Sequence, residues 1–429
     1  MFQYIGKGMV ALITAILMLI PQVRSLEAAI RDQIAPSIVY VPGALASYPF
    51  KAKTSQEVKD VTARAGGFLK GICHPTDNYE QIKGAGIEWN RADIPFPFDE
   101  AGNLRQSYID WKARMRRFAD NGIKIMAVTP YPKTYIEYGV DPRLPENEAR
   151  VAEIARFFIE DLEGLIGAVQ VSNELGIARF ALPLTMEERV RFLGVNLEAM
   201  YPIRGDVIIG YNTAGPQVDQ HLLMKPYLQF CDYVGIDIYV GCFFGMANWL
   251  FLFDLMLDFV WSYTGKPVIL AEFGYISGGA PKTEADKRAI LEQYGASSEA
   301  EARANIEDFV ARLPERLRNQ VYKNASGDWG DYLFVSDMKL HLYQEMPANV
   351  VIKGYPHTPD GQAKFYSYML PHLAKKKFLV GAFVYCWQDS EACYVCGQGE
   401  CPIETRWGLV SLDEKEKPAY YAVQDVWGK

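Results

Sequence analysis

Basic clusters are nearly absent from this chain. The longest is Lys375-Lys376-Lys377, and the formal net charge is −8. A nucleic-acid partner needs a contiguous positive face, so that class is excluded, and the short run reads as a solvated helix end. Histidine is scarce too, with five in 429 residues. Neither His-x-His nor His-Glu-x-x-His occurs among them, which removes the usual patterns of a catalytic metal hydrolase. An apolar run without any charge extends from Met9 to Ile20, which is short for a bilayer span and suits the apolar stretch of a signal peptide. No internal repeat or low-complexity tract is present.

Residues 1–25 are therefore expected to be a signal peptide or a membrane-associated segment, and membrane contact is expected only through them. Export to the cell envelope or medium follows if they are a signal, and a cytoplasmic protein with an uncleaved helix if they are not. Seven cysteines leave an odd one in any set of intrachain pairs. Cys393-x-x-Cys396 followed by Cys401 has the outline of a metal knuckle, but no second Cys-x-x-Cys and no nearby His completes it. A loop disulfide is expected in an exported protein and free thiols otherwise. No metal and no cofactor are expected.

What the chain does have is a strand–helix rhythm. Hydrophobic residues make up 49% and charged residues 22%, enough for a sizeable core. Residues 26–66 read as a lead-in packed on the main domain. From Gly67 onward, eight short apolar strands alternate with amphipathic helices, which predicts an α/β protein of the (β/α)8 TIM-barrel class over 67–429. The strands are expected near Gly67–Cys73, Gly86–Asp93, Ile123–Val128, Gly167 onward, Asp206–Tyr211, Tyr233–Tyr239, Lys266–Gly274 and Leu379–Trp387. Leu104, Tyr108, Trp111, Met115 and Phe118 fall on one helical face. Thr185 and Glu188 form a capping box for a helix to Met200. Phe244 to Tyr263 is very apolar, but Asp254 and Asp258 mark it as a core helix. Residues from about 281 to 357 break the rhythm and predict a largely helical insertion after strand seven, on the catalytic side. It is expected to wall off one end of a cleft. Asn324-Ala-Ser326 matches a glycosylation sequon, best read as a chance match.

Two strands end on carboxylates. Gly167-Ala-Val-Gln-Val-Ser-Asn-Glu closes on Asn173 and Glu174, and Lys266-Pro-Val-Ile-Leu-Ala-Glu closes on Glu272. In an α/β barrel both would face the C-terminal mouth, where such barrels keep their chemistry. Paired carboxyls are what glycosidic-bond cleavage requires, about 5–5.5 Å apart when configuration is retained. Arg91 after strand two could hold a nucleophile ionised, and Tyr239 after strand six could donate to it. Asn173 could bind a sugar 2-hydroxyl, and Trp387 could floor a subsite. His74, Asp93, Asn212 and Gln388 also sit at strand ends, where sugar contacts are expected, as does Asp77.

Together these residues resemble the clan A glycoside hydrolases: Asn-Glu after strand four, Glu after strand seven, Arg after strand two, Tyr after strand six and Trp after strand eight. The likeness spans about Gly67 to Trp427 and includes Arg406-Trp-Gly-Leu-Val and Lys417-Pro-Ala-Tyr. It implies Glu174 as acid/base, Glu272 as nucleophile and a carbohydrate as the partner. The chain departs from the clan in Leu175, where many members have Pro, and in its long seventh loop. A transglycosylase using the same residues, or a carbohydrate-binding barrel without catalysis, is the alternative.

Overall fold

The computed structural model of the protein describes residues 55–242, 249–325, 327–336, 338–346 and 350–429, without the side chains of 178 and 179. Among them, eight parallel strands close into a barrel in sequence order, with the last paired to the first. These are β1 Leu69–Cys73, β2 Trp89–Asp93, β3 Lys124–Val128, β4 Ala168–Gln170, β5 Ile208–Ala214, β6 Tyr233–Ile238, β7 Val268–Phe273 and β8 Leu379–Val384. β7 and β8 are near-continuous apolar runs because side chains on both faces are covered, inward by the barrel core and outward by helices, whereas β2 carries Asn90, Arg91 and Asp93. The (β/α)8 barrel read from the rhythm is the fold observed.

Element ends differ in instructive ways. β4 is only three residues long, because the chain turns left-handed at Ser172, where φ is 55°. β5 runs past Tyr211 to Ala214, which brings Asn212 inside the sheet. The helix Gln106–Asp120 buries Tyr108, Met115 and Phe118 as its periodicity predicts. Leu104 precedes that helix and is 42% exposed, so it does not belong to the buried face. The capping box of Met186–Met200 is present, with Thr185 and Glu188 satisfying each other's backbone amides. The apolar helix is described over Phe251–Thr264, residues 244–248 of the expected span lying outside the described residues. Its Asp254 and Asp258 pair with Lys376, so its polar side faces a neighbouring helix end. Among the described residues no helix is long and apolar enough to cross a membrane.

The N-terminal end of the barrel is closed by a helix, Gln56–Ala65, capped by Ser55. Lys124 at the start of β3 donates to the Ala65 carbonyl at 2.7 Å. Asp232, just before β6, accepts from both Arg64 and Arg204 at 2.8 and 2.9 Å. Residues 1–25 and the lead-in up to 54 fall outside the described residues.

The opposite, C-terminal end carries the insertion. Its helices are Glu284–Gln293, Glu299–Ala304, Ile306–Arg312, Glu315–Asn324, Trp329–Phe334 and Met338–Tyr343, as helical as the composition predicts. Ser326 of the sequon lies outside the described residues. Leu291, Phe309, Val310, Leu317, Val321 and Leu333 are buried and give the insertion an apolar core. Tyr275, after β7, donates to the Tyr355 carbonyl at 2.6 Å, and His357 lies 2.9 Å from the Gly241 carbonyl after β6. The insertion therefore sits over the ends of β6 and β7, on the face where the carboxylates emerge.

Candidate active site

A polar layer crosses the top of the barrel interior. Arg91 on β2 is 2% exposed, and its guanidinium is fully engaged. Nη1 donates to Glu272 Oε1 at 2.6 Å, Nη2 to Asn173 Oδ1 at 2.6 Å, and Nε to Gln170 Oε1 at 3.1 Å. One planar fork thus ties the ends of β4 and β7 together, a task that Lys, as a point charge, could not perform. The hydroxyl of Tyr239 donates to the other oxygen of Glu272. Asn212 on β5 donates to Asn173 Oδ1 at 2.7 Å and to Asp237 Oδ2 at 2.6 Å. Its own Oδ1 accepts from the Glu174 backbone N–H at 2.8 Å. Gly235 on β6 pairs with Asn212, and a Cβ there would come within 2.7 Å of the Asn212 Cβ. The missing side chain is what lets the amide reach both neighbours.

Glu174 is held by a turn with unusual backbone geometry. Ser172 and Glu174 have φ of 55° and 46°, both left-handed and neither glycine. Each costs on the order of 1 kcal/mol, and such outliers persist where surrounding bonds over-determine them. Here the Ser172 amide donates to Thr129 Oγ1 at 2.9 Å, and Asn212 fixes the Glu174 amide. β6 shifts register against β7 between Ile236 and Asp237, which sets Asp237 directly beside Glu272.

The electrostatics follow from burial and crowding. Burial works against the charge on Arg91, but Glu272, Cys73, Asp237 and Asp93 outweigh it and hold its pKa well above the usual value. Asp237 moves strongly the other way for a carboxylic acid. Burial pushes its pKa up, the charges of Glu272 and Glu174 push further, and a hydrogen bond with the Glu174 carboxyl adds to the shift against the pull of Arg91. Asp237 is thus the carboxyl of this layer for which burial and like charge most disfavour ionisation. Tyr239 and Tyr131 are likewise pushed up, by burial first and then by the carboxylates around them, and stay protonated donors.

The fold brings Glu174, Glu272, Arg91, Asn173, Asn212 and Tyr239 into one network. His74 and Asp93 are exposed at the rim, His74 with its ring 5.8 Å from that of Tyr385. Three sequence expectations fail. Trp387 is fully buried, its indole donating to Thr76, so it cannot floor a subsite. The half-buried ring at this edge is Tyr385, edge-on to Tyr239 at 5.8 Å. Gln388 spends its amide on the carbonyls of Ser411 and Leu412 and pins the C-terminal segment. Asp77 pairs with Arg114 and Arg117 on the outer helix, a surface contact. The sequence reading missed Asp237, Gln170 and Tyr131. Asp237 carried one signal, a lone carboxylate inside an apolar strand, which demands a partner without saying which.

A second cluster overturns the expectation that no His completes the late cysteines. His341, Cys393, Cys396 and Cys401 are all buried, and their potential ligand atoms lie within 4.8 Å of one another. All seven cysteines are free thiols, the second of the two expected states.

No protein-family model matches the chain, and comparison with curated proteins finds no match. Solved structures do match. The Ignisphaera aggregans GH53 catalytic domain is 16% identical over 89% of this chain and 97% of its own, with a TM-score of 0.51. A Bacteroides uniformis beta-glucuronidase is 14% identical over 84% of this chain and 35% of its own, at 0.48. A GH2 beta-galacturonidase from Eisenbergiella tayi bound to galacturonate is 13% identical over 84% of this chain and 51% of its own, at 0.47. The chain thus spans a third to a half of the glucuronidase and galacturonidase chains. At 16% identity, the likeness to the GH53 domain establishes the barrel fold alone.

Proposed function

We propose that the protein is a retaining β-glycosidase working by double displacement. The observation that carries this reading is the bonding of Glu272, which accepts from Arg91 on one oxygen and Tyr239 on the other, while Arg91 reaches across to the Asn173-Glu174 turn. Two donors from different strands orient both oxygens of this carboxylate, the fixed geometry a nucleophile needs. Glu174, on the turn that Arg91 and Asn212 hold beside that nucleophile, is assigned the acid/base role.

In the first step the Glu272 carboxylate attacks the anomeric carbon, the glycosidic C–O bond breaks, and the leaving oxygen takes the proton of Glu174. In the second, Glu174 removes a proton from water, whose oxygen attacks the same carbon and frees Glu272. Asn173 is placed by Arg91 and Asn212 to meet the sugar beside the nucleophile. The insertion over β6 and β7 favours short substrates or action from a chain end.

Glu174→Ala provides the test. With aryl β-glycosides whose leaving group needs no protonation, the first step persists and the second stalls, so azide should restore turnover and yield a β-glycosyl azide. Unchanged hydrolysis in the variant, or an azide product of inverted configuration, would refute the assignment.

A further inference from the structure

We propose that His341, Cys393, Cys396 and Cys401 form a structural zinc site that fastens the insertion to the loop after β8. This inference is independent of the glycosidase reading. The donor set, three sulfurs and one nitrogen, is that of a tetrahedral centre. With Zn–S and Zn–N bonds of about 2.3 and 2.0–2.1 Å, such a centre has S···N edges of about 3.6 Å. The His341 Nδ1 lies 3.5 Å from Cys393 Sγ and 3.4 Å from Cys401 Sγ.

The local backbone is shaped for a thiolate pair. The Cys396 amide points at Cys393 Sγ from 3.4 Å, and the Gly397 amide donates to the Cys393 carbonyl at 2.7 Å. Gly397 follows with φ of 78°, a left-handed position that turns the chain back after the second cysteine. Gln398 then donates its side chain to the His341 carbonyl at 3.0 Å and receives the amide of Gln344 at 2.6 Å. These bonds hold the histidine's helix, Met338–Tyr343, against the cysteine turn. Three thiols cannot all pair as disulfides, whereas one divalent ion takes all four groups at once.

Soft sulfur with one imidazole in a tetrahedron selects zinc over harder cations. All four donors are buried and come from protein, leaving no position open to substrate, so the site is structural rather than catalytic. Cys401 immediately precedes the short helix Pro402–Thr405, which delivers Arg406 and Trp407. The Trp407 ring sits edge-on to Tyr239 at 5.1 Å. The ion thus supports, through packing, the residue that donates to Glu272.

The test uses the full chain, purified without a metal-binding tag from medium containing zinc. Elemental analysis should find about one zinc per chain, and X-ray absorption should show about three sulfurs and one nitrogen at the distances above. Exchange of Co2+ into the wild-type chain should give the visible spectrum of a tetrahedral cobalt thiolate. His341→Ala should lose the metal, His341→Cys should keep it with a four-sulfur spectrum, and Cys231→Ser, away from the cluster, should bind as wild type. Because the wild-type measurements stand alone, an unfolded variant does not blunt them. Folded protein free of zinc, with three alkylatable thiols or a disulfide among Cys393, Cys396 and Cys401, would overturn the proposal.

Discussion

Tyr239 and Asp237 do different work on the same pair of carboxyls. Tyr239→Phe removes one of two donors to Glu272 and leaves the ring packing in place. Loss of a preorganised donor costs about 10²–10³-fold in kcat, and that is the fall expected with little change in Tm. A variant with wild-type kcat would mean that the hydroxyl does not serve the reaction. Asp237→Asn tests whether burial and like charge disfavour ionisation of that carboxyl. Asp237 has its folded-state pKa raised, so its contribution to stability is present below the ordinary carboxylate value of about 3.9 and is lost as pH rises toward the folded value. Asn mimics the protonated form without that pH-dependent loss. The Tm of the variant relative to wild type should therefore climb as pH rises above about 4. A flat or falling difference would show that Asp237 is ionised in the fold.

Individual residues were legible where the chain itself marks a boundary. Glu174 and Glu272 each end an apolar strand, and that alone points them at the barrel mouth. Asp237 lies inside such a strand, where nothing in the local pattern says that a bulge will set it beside Glu272. Trp387 was misread for a related reason. Its place depends on how many residues β8 keeps in the sheet, and β8 ends at Val384, which leaves Tyr385 at the cleft edge and turns the indole into the core.

Elements were more legible than their ends. Periodicity located the helices because most of each one's stability comes from an apolar face, whereas ends depend on caps and left-handed turns that a single residue can move. The short helix Val218–Leu223 was not foreseen, and it buries His221 completely beside the Tyr211 hydroxyl at 2.9 Å. Burial pushes the His221 pKa down to about 3. A histidine held neutral in the fold gives up stability as pH falls below its unfolded value of about 6.5, because the unfolded chain then takes the proton first. Urea melts should show wild-type stability declining between about pH 6.5 and about pH 4, with a shallower slope for His221→Gln. Parallel slopes would mean that His221 is not a source of the acid sensitivity.

At the scale of the molecule, the eightfold rhythm was sufficient to read the barrel, because each strand and helix repeats the same burial pattern. Contacts between distant segments were not readable in this way. His341 stands fifty-two positions before Cys393, and only the fold of the insertion brings it to the cysteines. Arg91 joins β2 to β4 and β7 in the same non-local manner, and it is the bond network around it that turns two strand-end carboxylates into one site. The most direct test of that site is labelling with a panel of activated 2-deoxy-2-fluoro β-glycosides, neutral and uronic, followed by peptide mass mapping. Fluorine slows breakdown of the glycosyl-enzyme, so the nucleophile keeps its tag. One sugar should tag Glu272, and the tag should vanish in Glu272→Gln. A tag on any other carboxylate, or none from folded wild-type protein across the panel, would contradict the account.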